Sequence, residues 1–293
     1  MLGPILAVTL SVPDLAAAER AYADTLGYQV VSRGEISAEV AGLWDAPVTA
    51  GRPYLVMQPA SGADMVFRFV ESPPVPNYKP LRTFGWNANE LLVEDVDAMP
   101  ERLEGSEFEI IAMPRNLSTT DDIKAMQAFG PAKELTYFTT VKNAAFGLGQ
   151  AESFLDRVFI VINGGKTMES HLNFYGGTLG IEVSKPQPVR MSALNAILGF
   201  DSEREHPLST ANIGGPFMIE LDEYPDGTEE RPILPGDIPP GISIVSFFVD
   251  DLDAIPVDFR AKPLKPSGPP YHSNRAAVIV GPNGEWLELI EKQ

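Results

Sequence analysis

The stretch ILAVTLSVPDLAAAERAYADTLGY, Ile5 to Tyr28, alternates apolar residues along Ile5 to Val12 and then changes period. From there Leu15, Ala18, Tyr22 and Leu26 recur at helical spacing. A period of two giving way to one of about 3.6 predicts a strand that feeds a helix. Asp14 stands ahead of the stripe as the helix N-cap, since a short acidic side chain can take the free N–H groups of the first turn, and Gly27 stops the helix. The same reading fits DRVFIVINGGKTMESHLNFYGGTLGI, Asp156 to Ile181, where Met168, Leu172, Tyr175 and Leu179 make the stripe before Gly180. The two helices match as AYADTLG and FYGGTLG.

Looser versions open with NANELLVEDVDAMPERL from Asn87 and SIVSFFVDDLDAIPVDF from Ser243. Four last strands follow in step: DMVFRFVES from Asp64, KELTYFTTV from Lys133, PFMIELDEY from Pro216 and EWLELIEKQ from Glu285. Each repeat reads as a βαβββ unit. One unit leaves a sheet face bare, so units must pair, and side by side they make a strongly curved sheet of about eight strands with a concave cup. The sequence therefore predicts an α+β chain of four βαβββ modules paired into two curved mixed-sheet cups. Repeats adjacent in sequence are expected to share a cup, giving domains over 1–147 and 148–293, with the Pro-rich Ser72 to Gly85 segment as the extended link between the first two repeats.

Composition narrows the function classes. With 44% hydrophobic and 21% charged residues among 293, and no apolar run approaching the ~20 residues that cross a bilayer, a membrane-embedded role is excluded. The start, MLGPILAVTLSVPDL, lacks signal-peptide character and reads as a first strand, so a cytoplasmic protein is expected. Zero cysteines remove disulfides, thiolate metal sites and cysteine nucleophiles. A net charge of -18 without a basic stripe argues against nucleic acid, and no glycine-rich phosphate loop follows a strand. The expected partner is a small molecule. Monomer and homodimer both remain open, because four repeats can complete both cups in one chain.

The motifs VTLSVPDL with AYADTLGY, SFFVDDLDA and GPNGEWLELIE resemble those of the vicinal oxygen chelate superfamily. That superfamily includes glyoxalase I, bleomycin-resistance proteins, extradiol ring-cleaving dioxygenases and fosfomycin-resistance enzymes. Metal-binding members resemble one another in a His on the first strand of a repeat and a Glu on the last, both pointing into the cup. The matching first-strand positions here are Ala7, Ala88, Arg157 and Ile244, none of them His. On the last strands they are Arg68, Tyr137 or Thr136, Glu220 and Glu288, so Glu220 and Glu288 are the only candidate metal ligands. A firmly held transition metal wants about three protein ligands including imidazole. The resemblance thus implies no cofactor, with Mg²⁺ or Ca²⁺ on the two carboxylates as the remaining option, and it implies that extradiol dioxygenase chemistry is absent.

The candidate site residues follow from side-chain alternation. Glu288 is either a semi-buried carboxylate paired with Arg157 or solvated at the cup mouth, or a general base raised by burial beside Trp286, Phe248 and Phe159. Arg68 either clamps a substrate oxyanion in place of a metal or pairs with Glu90 across the first cup. Thr9, Ser11 and Tyr137 are expected to line that cup, with Trp86 at its rim packing or holding a flat ligand. Of three histidines, His171 lies on a helix beside the apolar stripe and reads as structural, and His206 lies in a loop. His272, beside Tyr271, could serve the second cup as acid, base or late ligand, or stand in solvent. Two functions remain. One is a glyoxalase-type lyase or isomerase moving a proton next to a carbonyl or phenol, with Arg68 or Arg157 on the oxyanion and Glu90, Glu288 or Glu220 carrying the proton. The other is a non-catalytic cup of bleomycin-resistance type that sequesters an apolar molecule, a cationic one being suited to the acidic surface.

Overall fold

The computed structural model describes residues 2–117 and 120–292. The first repeat contributes β1 (Leu2–Val12), β2 (Gln29–Glu35), β3 (Pro53–Gln58) and β4 (Val66–Glu71), with helices α1 (Leu15–Glu19) and α2 (Ala38–Leu43). The second gives β5 (Gly85–Val93), α3 (Met99–Leu103), β6 (Glu109–Leu117), β7 (Thr120–Phe129) and β8 (Leu135–Val141). The third gives β9 (Leu155–Gly165), α4 (Met168–His171), β10 (Glu182–Val183), β11 (Gln187–Arg190), α5 (Ser192–Leu198), β12 (Glu205–Asn212) and β13 (Met218–Glu223). The fourth gives β14 (Gly241–Val249), β15 (Ala276–Val280) and β16 (Trp286–Glu291). This last repeat is the most reduced. Pro256, Pro263, Pro266, Pro269 and Pro270 crowd the segment where a helix and an outer strand would lie, and proline denies both their N–H donors.

All four openings are capped alike. Asp14 accepts from the Ala16 and Ala17 N–H groups at 2.8 and 3.1 Å, Thr167 from Ser170 at 3.2 Å, and Asp95 and Asp251 from Asp97 and Asp253 at 3.0 and 2.9 Å. The matched AYADTLG and FYGGTLG segments both widen into π-helical turns, Arg20–Thr25 and Leu172–Thr178. Among the described residues no helix is long and apolar enough to cross a membrane.

The pairing of repeats corrects the sequence expectation. One sheet runs β15-β16-β14-β1-β4-β3-β2 and joins repeats one and four; the other runs β10-β12-β13-β9-β5-β8-β7-β6 and joins repeats two and three. The spans 1–147 and 148–293 therefore each supply half of both sheets. The centre of each cup is an antiparallel seam between first strands, β1 against β14 and β5 against β9. The cup of repeats one and four is called the outer cup below, and that of repeats two and three the inner cup. The expected link at Ser72 to Gly85 carries the chain from one sheet to the other.

A continuous apolar layer joins the backs of the sheets. It takes Val8, Leu10, Phe67 and Phe69 from one, Leu91, Phe138, Val158 and Val161 from the other, and Ala18, Tyr22, Met99 and Tyr175 from the helices between them. Two buried hydrogen bonds staple this layer. Tyr22 donates to Glu134 Oε1 at 2.7 Å and Tyr175 to Glu285 Oε1 at 3.0 Å. Both acceptors sit in matched GPxxE turns, and glycine is required there: a Cβ on Gly130 or Gly281 would lie 2.0 or 2.1 Å from the carboxylate oxygen.

Candidate functional site

The outer cup is filled by its own side chains. Arg68, 2% exposed, extends from β4 toward Glu288 on β16, which is fully buried. Glu288 Oε1 accepts from Trp44 Nε1 at 2.8 Å and Tyr271 O–H at 2.6 Å, and Oε2 from Ser246 O–H at 2.5 Å and Arg68 Nη2 at 3.0 Å. Four donors occupy the four lone-pair sites of a carboxylate. Arg68 completes the cluster through Thr9 Oγ1 at 2.9 Å and Tyr271 Oη at 2.8 Å, with its guanidinium 4.7 Å over the Trp44 ring. Burial works to raise the Glu288 carboxyl, but Arg68 and the hydrogen bonds from Ser246, Tyr271 and Trp44 outweigh it and hold it below the ordinary range. Above the pair, Trp44, Leu43, Ile36, Ile238 and Tyr271 form a hydrophobic plug.

The inner cup is built on the same frame with other residues. Reading transversely, Trp286, Ile244, Thr9, Arg68 and Val56 stand side by side in the outer cup, and Met218, Ile160, Glu90, Tyr137 and Gln127 in the inner one. In the next row Glu288, Ser246 and Ala7 correspond to Glu220, Ile162 and Ala88. Tyr137 thus stands where the outer cup has Arg68, and Glu220 where it has Glu288. Among the described residues, Glu90, Glu220 and Asp222 make no ion pair. Glu90 accepts from Thr139 O–H at 2.5 Å on Oε1, and among the described residues no hydrogen bond to Oε2 is found.

Burial without a cation shifts these acids upward. The Glu90 carboxyl is pushed up to about 7 by burial, against the pull of the Thr139 hydrogen bond. Asp222 is pushed up to about 8 by burial, and Glu220 well above its ordinary value by burial plus the charges of Asp222 and Glu90. Glu220 and Asp222 lie close enough to share a proton. Glu90, Glu220 and Tyr137 are half-buried, so they face the cup while Phe159, Ile162, Leu194 and Tyr224 form its apolar floor and wall.

Several expected placements change with the pairing of repeats. Arg68 pairs with Glu288 rather than Glu90, and Glu288 with Arg68 rather than Arg157. Arg157 instead holds Asp156 at 2.7 Å and Glu152 at 3.6 Å at the start of β9. Thr9 and Ser11 share the outer cup with Arg68, as expected, while Tyr137 belongs to the inner cup. Trp286 and Phe248 lie with Glu288, but Phe159 does not. Trp86 is no rim residue: it is buried between the sheets, donates to the Trp286 carbonyl at 2.9 Å and packs on Phe247. His272 is exposed at positive φ, and its neighbour Tyr271 enters the cup instead. His171 is structural, buried against the Asp222 carbonyl at 3.2 Å, and His206 is held by Asn195 at 2.7 Å.

Residues not singled out in the sequence complete both sites. Ser246 and Asp222 each lie two positions along a strand from a named residue, so alternation alone points to them. Gln127 pairs directly with Tyr137 across β7 and β8. Trp44 caps the C-terminus of α2, in the connection between β2 and β3, and so lies off the strands from which the candidates were read.

A metal ion does not fit the donor sets found. Glu288 has no lone pair to give without breaking a hydrogen bond, and among the described residues no three His, Asp or Glu side chains gather closely enough to hold an ion.

No protein-family model matches the chain, and no curated protein matches its sequence. Solved structures do match its fold. Glyoxalase I from Zea mays superposes with a TM-score of 0.67 at 13% identity, covering 98% of this chain and 92% of that one. A proposed dioxygenase from Bacillus subtilis superposes with a TM-score of 0.61 at 10% identity, covering 99% and 85%. The chain has a glyoxalase-like fold across its length.

Proposed function

We propose that the inner cup is the reaction centre of a glyoxalase-fold lyase or isomerase, which moves a proton next to the carbonyl or phenol of a small aromatic substrate without a metal ion. The observation that carries this reading is Glu90, a half-buried carboxylate raised to about 7, with no hydrogen bond to one of its oxygens among the described residues. A base is most effective when its pKa lies near the working pH. Two strands away on β13, in rows beyond the one that Glu90 shares with Ile160 and Met218, Glu220 and Asp222 share a raised pKa that keeps a proton on the pair near neutrality.

The chemistry follows from that division. Glu90 takes a proton from carbon next to the carbonyl, and the electron pair of the broken C–H bond moves into an enolate oxygen. Tyr137 and the protonated member of the Glu220 and Asp222 pair donate hydrogen bonds to that oxygen, the role a neutral acid and a phenol can fill in an apolar site. Return of the proton to a neighbouring carbon completes an isomerisation; departure of a group from that carbon completes an elimination.

Exchange of the activated C–H protons of 2-tetralone for solvent deuterium, followed by NMR, tests the proposal. Wild-type protein is expected to accelerate exchange, and Glu90→Gln to lose roughly 10²- to 10⁴-fold of that acceleration. Exchange unaffected by Glu90→Gln would remove the cup from the chemistry.

The second reading, sequestration of a bound molecule, is favoured by the same lining, which offers acceptors to a ligand whether or not a bond is broken. Tight binding with no exchange in any ketone would select it.

A further inference from the structure

We infer that the ligand of the inner cup carries a protonated amine, seated among Glu90, Glu220, Asp222 and Gln127 with an aromatic body against Tyr137, Tyr224 and Phe159. This rests on the inner cup being the ligand site and adds the charge and donor character of what it takes.

The argument is one of unmatched acceptors. Gln127, 9% exposed and on the same sheet face as Tyr137, has a buried Oε1 with no donor, and Asp222 Oδ1 is buried with no donor beyond the proton its carboxyl shares with Glu220. A buried polar atom without a partner costs free energy, so a native site that keeps two has a use for them. Both are acceptors, and the free oxygen of Glu90 is a third. What is missing is a group with several N–H donors and a positive charge.

Among the described residues no such group is ion-paired with these acids, although the charge of Arg115 is felt by Tyr137. In the outer cup Arg68 fills the row position that Tyr137 holds in the inner one. The nearby cations of the inner cup are committed elsewhere. Arg115 on β6 donates to Ser192, and Arg231 donates to the carbonyls of Trp86 at 2.5 Å and Ile242 at 2.9 Å. An incoming ammonium would therefore take the place of the missing guanidinium. The groups that face it are Glu90 from β5, Gln127 from β7, Tyr137 from β8, and Glu220 and Asp222 from β13, with Tyr224 beyond. Because the acids hold protons when the cup is empty, seating a cation must release protons to solvent.

Three probes of one shape test this: tyramine, 2-(4-hydroxyphenyl)ethanol and 4-hydroxyphenylacetate, titrated calorimetrically at pH 7 in two buffers of different ionisation enthalpy. Tyramine is expected to bind at least about ten-fold tighter than the alcohol, with the acid weakest and protons released only for the amine. The double variant Glu220→Gln/Asp222→Asn is expected to erase the preference for the amine while keeping the affinity for the alcohol, which reports an intact cup. The inference is overturned if the alcohol or the acid binds as tightly as the amine, if none of the three binds, or if the preference survives in the double variant. A wild-type protein that shows no amine preference, with ketone exchange still dependent on Glu90, rejects this inference alone; absence of both in the wild-type protein rejects the cup as the site.

Discussion

The two cups are the same scaffold with opposite solutions to buried charge. In the outer one a carboxylate meets four donors, one of them a guanidinium, and Trp44 at the end of α2 closes the top. In the inner one Tyr137 replaces Arg68, Ile162 replaces Ser246, and a second acid, Asp222, joins Glu220. The outer cup has thereby become hydrophobic core with a satisfied ion pair inside it. The inner cup retains acids that burial has raised, and among the described residues none of them is ion-paired. Electrostatic completeness, more than cavity shape, separates a structural cup from a candidate site on this fold.

The largest effect that could break this comparison is expected from Arg68→Met. Removing the guanidinium leaves Glu288 charged and buried, which should destabilise the protein by about 3–5 kcal/mol in urea unfolding. Adding Glu288→Met should recover most of that loss, since an apolar pair of similar volume needs no compensation. Ketone exchange by the folded fraction should be unchanged. A stable Arg68→Met protein with abolished exchange would reverse the assignment of the two cups.

Much of the architecture was legible because it is written four times. The strand-to-helix change of period, the cap at Asp14 and the matched AYADTLG and FYGGTLG helices each follow from local chemistry. Pairing of repeats was not legible. Every first strand presents an open edge of the same kind, and closeness in sequence favours neighbours as partners. The link Ser72 to Gly85 is long enough in extended form, at about 3.3 Å per residue, to reach a different sheet. With the wrong partners, Arg68 was matched to Glu90 and Tyr137 was placed beside Thr9, although all four residues do face a cup. Direction could be read from a strand; company could not.

The cups should also respond to pH in opposite senses. Glu288 is held below its ordinary value, so its stabilising contribution is present above the unfolded value of 4.5 and is lost as pH falls through the lower folded value. Glu90, Glu220 and Asp222 are raised, so the folded state binds more protons than the unfolded one across the window from about 4 to about 8, and stability declines as pH rises through it. Glu220→Gln should therefore stabilise the protein by roughly 1–2 kcal/mol at pH 8, after allowance for its solvent-facing side, and by little at pH 4. Thermal melts at both values check this. A gain at pH 4 equal to that at pH 8 would show that Glu220 is not an unpaired acid.

The smallest expected effects concern the two staples behind the cups, where the halves can be compared directly. Tyr22→Phe removes the one side-chain donor to Glu134 among the described residues, and burial already pushes that carboxyl up to about 7. Losing that donor should raise the carboxyl further, so the variant should be nearly neutral at pH 5, where Glu134 is protonated, and cost about 1 kcal/mol at pH 8. Tyr175→Phe strands a second group as well, because Tyr175 accepts from Asn163 Nδ2 at 2.9 Å while donating to Glu285. Its cost should persist at pH 5 for that reason. Both variants should unfold in one transition, since each staple sits in the single apolar layer shared by the two sheets. Two separate transitions in either variant would mean that the cups fold as independent units, and that the inner cup could open without disturbing the plug of the outer one.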